Sequence, residues 1–292
     1  MPELLDMFSY TFMQRALVAG LVIGAVIPLV GVTVVLKRLS MIGDALSHAS
    51  LAGVAAGLIG GFNPVAGASV ACVVAAFCIE GIRVRLQDRA DLAIAVIMAA
   101  GVGLAGVLSG FVPNSSTFSS FLFGSIVTVD DAELYAVVAI GIAVAALCLV
   151  FFRELFWVTL DEGAARLAGV RVRAVNGAFI LVCALAVSIA ARTVGALIVS
   201  AMMTVPVACS LVVARSWRQT YAVACAVGVV CAVVGLVASY RFGLKPGGTI
   251  VLLEVAVLVF LFMARYTYRY CGRGSHRQSS MQKRRSARFG RT

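Results

Sequence analysis

Long uninterrupted apolar segments, separated by short polar links, dominate the pattern of hydrophobic and polar positions along the chain. Each segment is close to the roughly 20 residues that an α-helix needs to cross the hydrocarbon core of a bilayer. The pattern therefore predicts an all-α polytopic membrane protein. The predicted segments are residues 15–36, 41–60, 63–82, 91–112, 131–152, 174–191, 194–214, 220–240 and 249–268.

Positive charges are concentrated in every second link between these segments. Cytoplasmic links of membrane proteins are enriched in lysine and arginine, so the alternation predicts nine spans with an outside N-terminus and an inside C-terminus. The assignment as full spans is weakest for the two segments that flank Arg192, because one of them could be a half-helix. Eight spans are therefore the alternative. The basic links contain Lys37 and Arg38, then Arg83, Arg85 and Arg89, then Arg153, Arg166, Arg171 and Arg173, then Arg215 and Arg218.

Composition agrees with a membrane protein and limits the classes of partner. Of the 292 residues, 62% are hydrophobic and 13% are charged, which is about half the charge that a water-soluble surface needs. The net charge of +11 arises largely from residues 269–292, which we interpret as a basic, disordered cytoplasmic tail after a transmembrane domain of residues 1–268. This topological interpretation, with contact to anionic lipid, is favoured over nucleic-acid binding.

Two links are too long to be simple turns. The outer link, residues 113–130, contains an apolar stretch at residues 119–124 that is expected to lie as a short helix against the bundle. In the inner link, residues 153–173, Asp161 is expected to cap a short helix that ends at Gly169. This helix is either a docking element on the cytoplasmic face or a loop segment that happens to be helical.

One pair of ionisable side chains stands out within the apolar segments. Asp44 and His48 lie four residues apart in the second segment, so a helix brings the carboxylate and the imidazole to one face. Ionisable groups inside a span are costly and are usually functional, and this pair suits zinc or manganese. The alternative is an Asp–His hydrogen bond that only joins helices. For Glu254, in the last segment, helix pairing is favoured over a pathway role.

Several catalytic signatures are absent from the sequence. It contains no H-E-x-x-H, no G-x-S-x-G and no phosphate-binding G-x-x-x-x-G-K-[ST] motif. One histidine and one carboxylate cannot supply the three protein ligands of a catalytic zinc site. An intramembrane metalloprotease is therefore not expected, no permanently bound cofactor is expected, and any ATP would be hydrolysed by a partner.

Four short segments carry a resemblance to a known family. They are GDALSHASLAGV at residues 43–54, FLFGS at 121–125, VGALIVSAMMTVP at 194–206 and KPGGT at 245–249. Together they resemble the zinc/manganese/iron class of ABC importer permeases, and the likeness covers roughly residues 10–268. The residues that follow His48 look more like the zinc branch than the manganese branch.

This resemblance implies a fold, partners and residue roles. The fold would be the permease bundle of type II ABC importers, similar to vitamin B12 importers. The partners would be a second copy of the chain, cytoplasmic ATPase subunits and an extracytoplasmic metal-binding protein, all at a bacterial plasma membrane. Asp44 and His48 would line the ion path as transient metal ligands. Residues 161–170 would be the coupling helix, with Asp161, Ala165 and Gly169 contributing to ATPase coupling.

The expected function is thus import of a divalent metal, with zinc as the first choice and manganese or iron as alternatives within the same family. A siderophore or cobalamin permease would lack the Asp44/His48 pair and would need a wider channel. A secondary carrier would need no ATPase partner, so ATP-dependent uptake into vesicles would exclude it.

Overall fold

The computed structural model describes residues 10–85, 90–113, 118, 120–122, 124 and 130–289, with side chains for all of these except Ala90 and residues 268–289. Within these ranges every regular element is helical. A single π-helical turn, Ala191–Gly195, joins two of the helices. The helices are α1 (Thr11–Leu36), α2 (Ile42–Gly60), α3 (Pro64–Arg85), α4 (Ala90–Ser109), α5 (Asp131–Val150), α6 (Phe152–Leu160), α7 (Glu162–Leu167), α8 (Val172–Ala190), α9 (Ala196–Val213), α10 (Trp217–Phe242) and α11 (Pro246–Phe289).

Eight helical stretches in the described part of the chain are long and apolar enough to cross a membrane. This count takes Val172–Val213 as one stretch of 42 residues, which unites the two segments that flank Arg192. Taken as two separate spans, these two segments give the count of nine that the charge alternation predicts. A straight helix of that length would extend about 63 Å, roughly twice the thickness of a bilayer core.

Contacts with α1 show that Val172–Val213 folds into two legs. Asn176 near the start of α8 accepts a hydrogen bond from Lys37, at the end of α1. Val207 in α9 packs in one cluster with Val32, which is also near the end of α1. A straight helix would hold residues 176 and 207 about 46 Å apart. The chain therefore turns back, and Gly195, at the end of the π turn, has the positive φ of 108° that a break requires.

The basic links meet at one end of the bundle, as the charge alternation predicts. Lys37 and Arg83, from two of these links, both form ion pairs with Glu162, in a third. A separate ion pair lies at the other end of the bundle, near the first residues of α1 and α5. In it the Arg15 guanidinium lies 2.7 Å from the Asp131 carboxylate. The positive-inside rule assigns the Glu162 end to the cytoplasm.

Single-cysteine labelling in a cysteine-free background tests this orientation. We expect Ser120→Cys to react with a membrane-impermeant maleimide added outside, because the outer link contains position 120. Leu167 is exposed on the predicted cytoplasmic side. Leu167→Cys should therefore react only after the membrane is permeabilised. Labelling of position 120 solely from the cytoplasmic side would contradict the topology.

Small residues allow α2 and α3 to approach closely. A Cβ atom at Gly53 would overlap the carbonyl oxygen of Gly67, and a Cβ atom at Gly57 would lie 2.9 Å from the Cα of Pro64. In lipid such close approach drives helix association, because apolar burial offers little gain there. The contact fixes the position of the helix that carries Asp44 and His48.

Two peripheral predictions concern the basic tail and the outer link. Helix α11 continues to Phe289 in the structure, and the disorder expected of residues 269–292 stays a prediction. Residues 275–289 contain no glycine or proline and are rich in Arg, Gln, Met and Lys, which favour helix. The predicted short helix at 119–124 lies partly outside the described residues, although Phe121 is helical and buried.

Candidate functional site

Asp44 and His48 lie on the accessible face of α2. Both side chains are partly exposed, whereas Ala45, Leu46 and Ser47 between them are buried. The residues at i and i+4 share this face, as the spacing predicts. The structure therefore presents a carboxylate and an imidazole to one accessible strip of an otherwise packed helix.

Neither side chain of this pair holds the described part of the fold together through a polar contact. Among the described residues, Asp44 and His48 form no hydrogen bond or ion pair with each other or with another side chain. The alternative of a structural Asp–His hydrogen bond therefore lacks support. No group of three His, Cys, Asp or Glu residues in the described part of the chain is placed to hold a metal ion. The pair offers two ligands where zinc usually takes four and manganese six.

Neighbouring helices hold this part of α2 tightly. A Cβ atom at Gly43 would lie 3.3 Å from the Cα of Ser200 in α9. A Cβ atom at Gly101 in α4 would lie 3.0 Å from the backbone nitrogen of Ala49. These close backbone contacts fix this part of α2 against α9 and α4, since protein interiors are close-packed.

The predicted cytoplasmic helix is present as α7, with both of its predicted boundary residues. The Asp161 carboxylate accepts hydrogen bonds from the backbone of Gly163 at 2.7 Å and Ala164 at 3.1 Å, which caps the N-terminus. Gly169 has a φ of 84° and ends the segment. The local sequence rules were sufficient here because every contact that sets the boundaries lies within nine residues.

Side chains on α7 differ widely in their exposure. Ala165, predicted as a coupling residue, is buried in the hydrophobic core, and its role in coupling stays a prediction. Leu167 is 93% exposed, and Leu160 and Trp157 of the preceding helix are also exposed. The sequence analysis missed this apolar surface, although a leucine beside an arginine in a cytoplasmic link was a signal for it.

A polar cluster connects α7 to three other helical elements, and the sequence analysis missed it. The Glu162 carboxylate lies 3.7 Å from the Lys37 ammonium and 3.5 Å from the Arg83 guanidinium. It also accepts a hydrogen bond from the Asn176 amide at 3.1 Å, and Lys37 donates to the same Asn176 side chain at 2.5 Å. Burial lowers the pKa of Lys37 from 10.5 to about 8, and Glu162 opposes this shift.

Two other ionisable groups within the bundle, Arg192 and Glu254, differ in the contacts that they form. Arg192, in the π turn, pairs with Glu133 at 2.9 Å and lies over the ring of Phe121, 4.6 Å from its centroid. These contacts join the π turn to α5 through Glu133 and to the outer link through Phe121. Glu254 is completely buried, and neither of its carboxylate oxygens has a hydrogen-bond partner in the described part of the chain. The favoured helix-pairing role for Glu254 therefore has no contact to support it.

Comparison with known proteins shows consistent similarities over nearly the whole chain. The family model described as "ABC 3 transport family" matches residues 9–265. A metal transport system membrane protein of Treponema pallidum is 32% identical over 255 residues, covering 87% of this chain and 96% of that protein. The manganese transport system membrane protein MntC of Listeria innocua is 29% identical over 257 residues, covering 88% and 92% of the two chains.

A solved structure shares the architecture. PsaBC from Streptococcus pneumoniae, in complex with Fab, matches with a TM-score of 0.80 and 29% sequence identity. The match covers 89% of this chain and 95% of the chain in that complex.

Proposed function

This chain belongs to the ABC 3 transport family and is the membrane permease subunit of an ABC metal importer, and we propose that its cargo is a divalent metal ion held transiently by Asp44 and His48. The observation that carries the proposal is the accessible carboxylate–imidazole pair on a tightly packed helix, which has no polar partner among the described residues. An ionisable pair without a structural partner is expected to serve the transport pathway. The protein is a multi-pass bacterial membrane protein.

For the identity of the cargo, we favour manganese. The sequence analysis favoured zinc, but the relative in Listeria innocua is named for manganese transport, and no similarity reported above names zinc. One carboxylate and one imidazole suit either ion, so the donor set does not favour zinc. Zinc stays as the second candidate because its usual protein ligands include both groups.

The proposed partners follow from ligand number and exposed surface. A second copy of the chain around a shared axis would bring two carboxylates and two imidazoles together. The exposed surface of Leu160, Trp157 and Leu167 would seat in a cytoplasmic ATPase subunit, which would supply the ATP hydrolysis that this chain has no motif to perform. An extracytoplasmic binding protein would deliver the ion at the opposite face.

Uptake into proteoliposomes tests the proposed function. The complex of this chain with its ATPase subunits would be reconstituted together with the extracytoplasmic binding protein, and radioactive manganese and zinc would be offered separately and in competition. We expect uptake that requires ATP on the ATPase side, with manganese accumulating faster and excess zinc reducing it only weakly. Zinc uptake that manganese does not inhibit would transfer the assignment to zinc. Absence of ATP-dependent uptake of either metal would refute metal import.

A further inference from the structure

The Lys37–Glu162 cluster joins the cytoplasmic helix to the element that precedes the metal-ligand helix. Glu162 is the first residue of α7, and Lys37 directly follows α1. Their sequence separation is large, yet the ammonium and the carboxylate lie 3.7 Å apart. Asn176 of α8 and Arg83 of α3 also belong to the cluster, and Arg83 pairs in turn with Glu80 at 2.8 Å. A movement of α7 therefore acts directly on three transmembrane helices.

The two charged partners differ in how freely they can move. The Lys37 side chain is only 5% exposed, while that of Glu162 is 36% exposed. A buried ammonium is costly unless it is paired, so withdrawal of Glu162 would leave Lys37 in an unfavourable environment. This penalty opposes separation of the two side chains, so Lys37 is expected to follow Glu162 when α7 moves.

A short rigid turn connects Lys37 to α2. The backbone nitrogen of Arg38 bonds to Val35, that of Leu39 bonds to Val34 at 2.9 Å, and that of Ile42 bonds to Leu39 at 2.9 Å. Arg38 has a φ of 59°, a left-handed conformation that a side chain seldom adopts without tertiary support. Because this turn is closed by hydrogen bonds, displacement of Lys37 moves the start of α2.

Building on the proposed function, we propose that Lys37 and Glu162 are positioning residues that couple α7 to the metal-ligand helix. Asp44 lies in the first turn of α2, directly after the connecting turn. When an ATPase partner moves α7, Glu162 carries Lys37 with it, and the turn transmits this displacement to Asp44 and His48. ATP binding or hydrolysis thereby changes the access or the affinity of the metal pair.

The test is the number of ATP molecules hydrolysed for each metal ion imported by the reconstituted complex. Lys37→Met and Glu162→Gln remove the charges with little change in size. Each variant should hydrolyse ATP at a rate near that of the wild type, with import per ATP reduced about tenfold, within the usual range of coupling between sites. The double variant should be no worse than the more impaired single variant, because both residues act through one contact. Lys37→Arg should retain most of the coupling.

The matched control is Arg15→Met, which breaks an ion pair at the other end of the bundle and should leave the ratio unchanged. Thermal unfolding and co-purification with the ATPase measure structural damage separately. If Lys37→Met fails to assemble, the more exposed Glu162→Gln carries the test. An unchanged ratio in assembled variants, or additive losses in the double variant, would overturn this inference while leaving metal import intact. Absence of uptake by the wild type would instead refute the proposed function.

Discussion

Replacing His48 or Asp44 by alanine should reduce metal uptake to the background of protein-free vesicles while leaving the assembled complex intact. Loss of a residue that merely supports a metal ligand costs about 10–100-fold. Loss of a ligand itself, in a site with only two ligands from each chain, should therefore cost at least about a hundredfold. Folding should survive because neither side chain forms a hydrogen bond or ion pair in the described part of the chain.

The measurement is initial uptake rate in proteoliposomes, together with size-exclusion elution of the same preparations. Ser47→Ala is the matched control. Ser47 is next to His48 in the sequence, but its side chain is buried and points away from the accessible face. This control should transport like the wild type. Wild-type uptake by both the His48 and Asp44 variants would make the pair structural and place the ion path elsewhere.

Gly53→Ala should destabilise the bundle and impair transport together. The added Cβ would overlap the carbonyl oxygen of Gly67, which belongs to the backbone and cannot turn aside. Helices α2 and α3 would have to separate, at a cost of about 1–3 kcal/mol that is typical of overpacked interiors. Separation would also move Asp44 and His48, so the uptake rate should fall with the thermal unfolding temperature.

Gly103→Ala in α4 is the control for the effect of the methyl group itself. No atom would lie within 4 Å of a Cβ at Gly103, and alanine favours helix over glycine by about 1 kcal/mol. This variant should unfold at or above the wild-type temperature and transport normally. Equal unfolding temperatures for the two variants would show that the α2–α3 contact tolerates separation.

The parts of the fold that depend on residues close together in the sequence were predictable from local sequence patterns. Apolar length predicted the helical segments, and the i, i+4 spacing placed Asp44 and His48 on one accessible face. The cap at Asp161 and the stop at Gly169 were predicted because both depend on nearby backbone groups. The number of spans stayed open because the turn at Gly195 depends on how two helices pack against α1.

Features that depend on distant contacts were not predictable from the sequence. The Lys37–Glu162 contact joins residues far apart in the chain, and nothing near either residue indicates its partner. Burial of Ala165 also depends on how α7 lies against the bundle, which a six-residue helix does not encode by periodicity. Metal preference stays a prediction, because a donor set of one carboxylate and one imidazole suits either ion.

Pulsed electron paramagnetic resonance of manganese bound to the purified complex tests the central claim most directly. The chain has only two histidines, His48 and His276. The account predicts nitrogen hyperfine coupling from an imidazole ligand, retained in His276→Gln and lost in His48→Gln. Bound manganese without nitrogen coupling, or coupling that survives His48→Gln, would contradict the assignment of His48 as a ligand of the transported metal.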